Sequence, residues 1–245
     1  MMDPGVYVLN RGMDLTSVTE AQWQNGCIIP VNKPLDWTSF DVVKYIKKVI
    51  PVKKVGHAGT LDPKATGLLL CCTGKATKQI SQLQESIKEY SAVIRLGATS
   101  PSLDIGTEDT HVEKYSPIPL ETIKTSLLRD FNGNIEQLPP AYSALKINGK
   151  RAYELARKGL EPDLKPRTVF VESIEVLQLE GALLTLLIRC GKGTYIRSIA
   201  RDLGRKLGTV ARLESLIRVQ SGAYHVNNGW DPLEFRNQMR LSGYD

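Results

Sequence analysis

One carboxylate stands out for its setting. Residues 56 to 69 read GHAGTLDPKATGLL, which places Asp62 among three glycines, a proline and two threonines, just ahead of the apolar run Leu68 to Cys72. A carboxylate on so tight a loop has a fixed direction and cannot relax onto a solvated surface, which is how a nucleophile or general base is presented. The same residue types also suit an Asx-type turn, in which Asp62 only bonds the backbone near Thr66. Other chemistries find less support. Thr73-Gly74-Lys75-Ala76 is like the end of a phosphate-binding loop, but Leu69 stands where that loop needs a glycine and Ala76 where it needs a magnesium-holding hydroxyl. His57, His111 and His225 are scattered and no cysteine has ligand spacing, so no metal is expected. There is no Gly-x-Ser-x-Gly, so a serine hydrolase has no footing.

The elements that must position Asp62 follow from periodicity. Residues 1–25 carry no clear pattern and are expected to be partly disordered or to pack as an arm. Cys27 to Val31 reads as a short buried strand, and Thr38 with Asp41 three residues on opens a helix through Ile50. Its apolar face is Val42, Val43, Ile46, Val49 and Ile50; Lys44, Lys47 and Lys48 lie opposite. Leu68 to Cys72 is a strand after the Asp62 loop, and a helix begins near Lys75. Tyr90 to Leu96 alternates like a two-faced strand. Pro101 to His111 is a loop, Leu120 to Phe131 is a helix, and Val169 to Leu179 and Ala182 to Cys190 are strands joined at Glu180-Gly181. After Thr194, Ile196, Ile199, Ala200, Leu203 and Leu207 form a helical stripe, with Arg197, Arg201 and Arg205 on another face. The mixture is α+β.

Composition sets the bounds. At 245 residues, 42% apolar and 24% charged, the chain can bury one large core. No apolar run approaches the roughly 18 residues of a membrane span, and MMDPGVYVLNRGMDL has no secretory pattern. Cys71 and Cys72 sit inside an apolar strand and read as buried thiols, which fits a reducing cytoplasm. The net charge of +6 is unevenly spread. Pro140 to Arg167 holds seven Lys or Arg against three acids, Lys192 to Arg218 seven against two, and Gln79 to Glu136 five against nine. Basic segments flanking an acidic middle suggest one face shaped for a polyanion.

The Asp62 segment resembles the catalytic motif of bacterial TruB-family pseudouridine synthases, which modify uridine in the T-loop of tRNA. The resemblance continues in order along the chain. Residues 26–41 read GCIIPVNKPLDWTSFD; Lys88-Glu89-Tyr90, Arg95-Leu96-Gly97, Asp104 and Gly106 follow. PPAYSALKINGKRAYELARKG spans 139–159, GKGTYIR spans 191–197, and RLESLIRVQSG spans 212–222. The resemblance implies a pseudouridine synthase fold: a mainly antiparallel central sheet flanked by helices, with a basic thumb-like insertion at about 138–166. The catalytic domain would be 26–222, followed by a short tail at 223–245 that leaves no room for the family's usual C-terminal PUA domain.

By the same resemblance Asp62 is the catalytic carboxylate, Arg197 its ion-pair partner, and Tyr90 the ring that stacks on the uracil with its hydroxyl near C5. His57 would contact the displaced T-loop, Lys33 support the site, Leu216 line the pocket and Tyr195 stand at the start of the helix that carries Arg197. On the thumb, Lys146 and Arg151 would hold the RNA backbone. Without the resemblance, Arg197 reads as a helix-surface arginine, Lys33 as a surface lysine, and Tyr90 and Leu216 as core. No cofactor is implied. The expected partner is the T-arm of tRNA, with no membrane and no obligate protein partner, and the default expectation is a monomer. Two other functions stay open: an RNA-guided pseudouridine synthase, and a tRNA-folding chaperone without chemistry.

Overall fold

The computed structural model describes residues 6–147 and 149–243. Residues 1–5, Asn148 and residues 244–245, which fall in the arm, thumb and tail read from the sequence, lie outside the described residues. Along the chain run β1 (Tyr7–Val8), α1 (Glu20–Asn25), β2 (Cys27–Lys33), α2 (Ser39–Lys47), β3 (Val55–Ala58), β4 (Ala65–Thr73), α3 (Ile80–Glu85) and β5 (Lys88–Leu96). Then come β6 (Ala98–Thr99), β7 (His111–Val112), α4 (Leu120–Asp130), β8 (Gly133–Gln137), β9 (Lys146–Ile147), β10 (Lys150–Arg151) and α5 (Ala152–Ala156). The last are β11 (Arg167–Glu180), β12 (Leu183–Cys190), α6 (Ile196–Lys206), β13 (Ala211–Ser221), β14 (Tyr224–His225) and α7 (Pro232–Leu241). The chain is α+β and forms two compact units, one made of the residues up to Lys88 together with those from Ile217 on, the other Glu89–Leu216.

In the first unit β1, β2 and β4 are neighbours in that order, β1 parallel to β2 and β2 antiparallel to β4, with β3 antiparallel to β4. The unbroken apolar run of β4 follows from burial on both faces. Leu69 and Cys71 join Ile29, Val31, Val42, Ile46, Trp230 and Phe235 on one side. Leu68, Leu70 and Cys72 join Ile28, Ala58, Ala76 and Tyr224 on the other. Thr38 caps α2 through a reciprocal bond set with Asp41, as its sequence predicts, but the helix ends at Lys47 rather than Ile50. Near Lys75 the chain first makes 3-10 turns over Gly74–Gln79 before α3 begins.

Residues 6–25 are packed: Leu9, Leu15 and Trp23 are buried, and Thr19 caps α1 with Gln22. Residues after Gly222 also form structure. The Trp230 indole donates to the Leu9 carbonyl at 2.9 Å, and α7, opened by Asp231 and Pro232, buries Phe235 and Met239.

The second unit is built on the β11–β12 hairpin, with β8 antiparallel on the other edge of β11. Leu184, Leu186, Ile188 and Cys190 alternate inward on β12, and Ala92, Ile94 and Leu96 do so on β5. The core-facing residues of α4 (Ile123, Leu127) and α6 (Ile199, Leu203) are buried as well. The basic segment read as a thumb contains the β9–β10 hairpin and α5.

Candidate active site

The loop carrying Asp62 is fastened at nearly every residue, all within the first unit. Ser39, the first residue of α2, accepts the Leu61 amide at 2.9 Å and donates its hydroxyl to the Leu61 carbonyl at 3.2 Å. The Asp62 carbonyl accepts the Ala65 amide at 3.0 Å, closing the turn. The Pro63 carbonyl accepts from the Asp36 amide at 2.9 Å and from the Lys33 ammonium at 3.3 Å. Lys64 pairs with the Asp36 carboxylate at 2.6 Å. Asp36 itself sits at a φ of +65°, in the left-handed region that Asp tolerates better than most residues.

Two buried cations hold this scaffold. Lys33 ends β2 with no exposed surface, and its ammonium also donates to the carbonyls of Trp37 (2.6 Å) and Pro34 (2.9 Å). Burial pulls its pKa down to about 8, against the opposing pull of the Asp62, Asp36 and Asp41 carboxylates. Arg218, on β13, is 2% exposed and donates to the Leu68 carbonyl at 2.6 Å and the Gly59 carbonyl at 3.1 Å. One guanidinium thus ties together the two ends of the Asp62 loop. Gly67 is obligatory beside it: φ is +98°, and a Cβ there would stand 2.4 Å from the Arg218 carbonyl oxygen. His57, half-buried on β3, has its pKa lowered by burial, with the Arg218 charge adding to the effect.

The asymmetry of hydrogen bonding explains why such a scaffold is rigid. A bond to a charged group contributes about 1.5–3 kcal/mol, and a buried carbonyl left without a partner costs a similar amount. Asp62, half-buried, therefore sits on a loop whose backbone has little freedom.

The second unit holds the other residues picked out by sequence. Arg197, in the first turn of α6, is 3% exposed. Its guanidinium donates to the carbonyls of Ser102 (2.8 Å) and Tyr142 (3.0 Å), and its Nε lies 3.6 Å from the Asp104 carboxylate. Asp104 is oriented by the Ser102 hydroxyl at 2.6 Å and the Gly106 amide at 2.8 Å. Tyr195 is fixed by the buried side chain of Gln137, whose amide oxygen accepts the Tyr195 N–H (2.8 Å) while its NH2 donates to the Tyr195 carbonyl (3.1 Å). The Arg167 guanidinium stacks on the Tyr195 ring, 4.9 Å from its centroid, and donates to the Gly193 carbonyl.

Tyr90 is half-buried on β5 and Leu216 is buried on β13. Glu89, next to Tyr90, pairs with Arg189 at 3.0 Å. Lys146 and Arg151 are exposed and sit directly opposite each other across β9 and β10. Two like charges facing across a hairpin cost stability in the free protein, and a polyanion lying along it would relieve that cost. Among the described residues no cluster of three or more His, Cys, Asp or Glu side chains could hold a metal ion.

Within the first unit the structure brings together Asp62, Lys33 and the β3 strand of His57; within the second it brings Arg197 and Tyr195 to one helix start. Ser39, Arg218, Asp36 and Gln137 were not singled out from sequence. Ser39 follows a recognisable cap, and Gln137 precedes Leu138-Pro139, but neither position by itself signals its partner.

Residues 47–196 match the family described as TruB family pseudouridylate synthase, N-terminal domain. A protein of Bacteroides fragilis named tRNA pseudouridine synthase B is 45% identical over 219 residues, 87% of this chain and 94% of that protein. A protein of the same name from Bacteroides thetaiotaomicron is 46% identical over 224 residues, 87% of this chain and 93% of that one. Among solved structures, a chain of a Cbf5-Nop10-Gar1 complex superposes with a TM-score of 0.64 at 33% identity, covering 83% of this chain and 50% of that chain.

Proposed function

The chain belongs to the TruB family of pseudouridylate synthases, and from that membership we propose that it converts uridine 55 in the T-loop of tRNA to pseudouridine, with Asp62 as the catalytic carboxylate. The reaction is an isomerisation. The N1–C1′ glycosidic bond breaks, the uracil turns, C5 bonds to C1′, and the C5 proton leaves, so nothing is oxidised or reduced and no second substrate is consumed. The observation that carries the assignment of Asp62 is its loop, held by Ser39, Lys33, Asp36 and Arg218 so that one carboxylate keeps one direction.

In this reading Tyr90 and Arg197 keep the roles the resemblance implies: Tyr90 stacks on the uracil and takes the C5 proton, and Arg197 supplies the countercharge that keeps the carboxylate ionised. His57 contacts the displaced loop, Tyr195 and Leu216 shape the pocket, and Lys146 and Arg151 hold phosphates. Taking the base out of its stack costs a few kcal/mol, which these RNA contacts offset. The enzyme acts as a monomer in the cytoplasm.

The names of the curated relatives favour tRNA over a guide-directed target and catalysis over a purely folding role. The deciding experiment measures tritium release from tRNA labelled at uracil C5, with no other RNA added. Wild type should release tritium, Asp62→Asn should release none while still binding, and replacing position 55 should abolish release. Release by Asp62→Asn would remove the carboxylate from the mechanism. Release that requires an added guide RNA would favour the guided reading.

A further inference from the structure

We propose that one side of α2 and the turn before it carry a second RNA-binding surface, beside the Asp62 loop and apart from the thumb hairpin, in which an amino-bearing base stacks on Trp37 while Lys44 and Lys48 hold its flanking phosphates. The proposal rests on the RNA substrate inferred above.

The starting point is a charge imbalance. Between Asp41 and Asp62 the chain carries five lysines, Lys44, Lys47, Lys48, Lys53 and Lys54, and no carboxylate. All five are exposed, and no ion pair within 4 Å is seen for them among the described residues, though the Lys44 charge acts on Asp41 one turn away. Lys44 and Lys47 suit the negative end of the α2 dipole, but that end reaches only the last turn and does not account for Lys53 and Lys54. A solvated lysine ridge would need no concavity beside it.

Here there is one: a cleft of about 420 Å³ lined by Asp36, Trp37, Asp41, Lys44, Tyr45 and Lys48. The two rings meet edge to face, centroids 5.3 Å apart, and Arg236 covers the Tyr45 ring at 5.6 Å. Trp37 is half-buried, and its neighbours Leu35 and Phe40 are 49% and 69% exposed. A half-buried indole that packs in part on the core but still borders an open cleft, beside exposed lysines, is a combination that single-stranded RNA recognises, since any base offers a π-face and any backbone offers charge. The two acids narrow the choice of base. Asp36 uses one oxygen for Lys64, and Asp41 uses one for the Thr38 amide and hydroxyl. Each retains an oxygen that accepts hydrogen bonds only, which suits the exocyclic amine of cytosine, guanine or adenine and disfavours uracil.

The cleft is tied to the Asp62 scaffold. Its residue Asp36 donates its amide to the Pro63 carbonyl, and Trp37 gives its carbonyl to Lys33. An RNA strand that brings a uridine to Asp62 has neighbouring nucleotides within the same first unit to place.

Two readouts test this independently of catalysis. Of the three tryptophans, Trp23 and Trp230 are at most 1% exposed, so quenching of tryptophan fluorescence by RNA reports on Trp37. Titrating wild type with tRNA transcript should quench that emission, and Trp37→Phe should remove the quench. The double variant Lys44→Gln/Lys48→Gln changes only exposed side chains. It should bind tRNA about tenfold more weakly, with the slope of log Kd against log salt reduced by about two, one per lost phosphate contact. Unchanged slope and affinity, or binding without quenching, would overturn the proposal. Tritium release by wild type, measured in parallel, separates the two inferences. If wild type releases none but the quench and slope respond, the catalytic reading fails and the surface stands. If it releases tritium and neither readout responds, the surface fails alone.

Discussion

Replacing Arg218 tests whether the Asp62 loop is set by a single buried guanidinium. Arg218→Met keeps an unbranched chain of similar reach and removes both donors, leaving the Leu68 and Gly59 carbonyls without that partner. Two bonds to a charged group at about 1.5–3 kcal/mol each give a loss of about 3–6 kcal/mol. For a chain of this size, at 2–4 °C per kcal/mol, that is a fall in Tm of roughly 6–24 °C. Arg218→Lys retains the charge but reaches only one carbonyl, so it should recover about half. The rate should suffer more than the fold. A misplacement of about 1 Å in the reacting geometry costs on the order of 100-fold, so Arg218→Lys should lose far more in single-turnover tritium release than in tRNA affinity. An independent signature comes from electrostatics. Arg218 pushes the pKa values of His57 and Lys33 down, so Arg218→Met should raise the His57 pKa as followed by NMR. The assays are thermal unfolding followed by two probes and single-turnover kinetics at a temperature where all variants are folded. An Arg218→Met protein within about 1 kcal/mol of wild type, below the cost of one lost charged bond, with an unchanged rate, would refute the reasoning.

Two further outcomes are expected. Lys33 should make turnover and stability diverge above pH 8. Its folded pKa of about 8 lies below the ordinary lysine value of 10.5, so the cost of burying the ammonium is fully present below pH 8 and is relieved between the two values. This group alone therefore raises stability over that window, while the neutral amine, left with two donors for three carbonyls, loosens the loop. Single-turnover rate should fall with an apparent pKa near 8 as Tm holds or rises, and a Lys33→Met protein should lack that limb; a flat rate from wild type would contradict this. Gln137→Leu should strand the N–H of Tyr195 at the start of α6, whose carbonyl keeps the Ser198 and Ile199 amides, costing about 1–3 kcal/mol from one unsatisfied group. Differential scanning calorimetry checks it, and a Tm shift under a degree would count against Gln137 as the clamp.

What was legible in the sequence depended on how far away the partner lies. The α2 cap could be read because Thr38 and Asp41 are three residues apart. The β4 strand could be read because burial on both faces leaves an unbroken apolar run. The α+β class and the pseudouridine synthase family were likewise legible, from segments kept in order along 200 residues. The burial of the cations was not: Lys33 was singled out only through the resemblance, and Arg218 not at all. A lysine or arginine has the same letter whether it lies in solvent or inside a cage of carbonyls, and the cage around Arg218 is built from residues about 150 positions away. Backbone carbonyls leave no mark in the sequence at all. For the same reason residues 6–25 show no pattern: Leu9, Leu15 and Trp23 each fill a gap in a core assembled by other segments, so their spacing follows that core and not a helix or strand period.

The 150-residue span between Arg218 and Leu68 also sets an order of events during synthesis. At about 5–20 residues per second, a ribosome takes roughly 8–30 s after making Leu68 to make the arginine that fastens it. Until then the Asp62 loop and the β2–β4 sheet are without Arg218, Trp230 and α7, and the apolar residues that later meet Phe235 and Met239 are uncovered. For most of its translation the nascent chain thus has the Asp62 loop unfastened by Arg218 and part of its core uncovered, and a chain cut short before β13 carries every residue of the Asp62 motif without the guanidinium that ties its two ends.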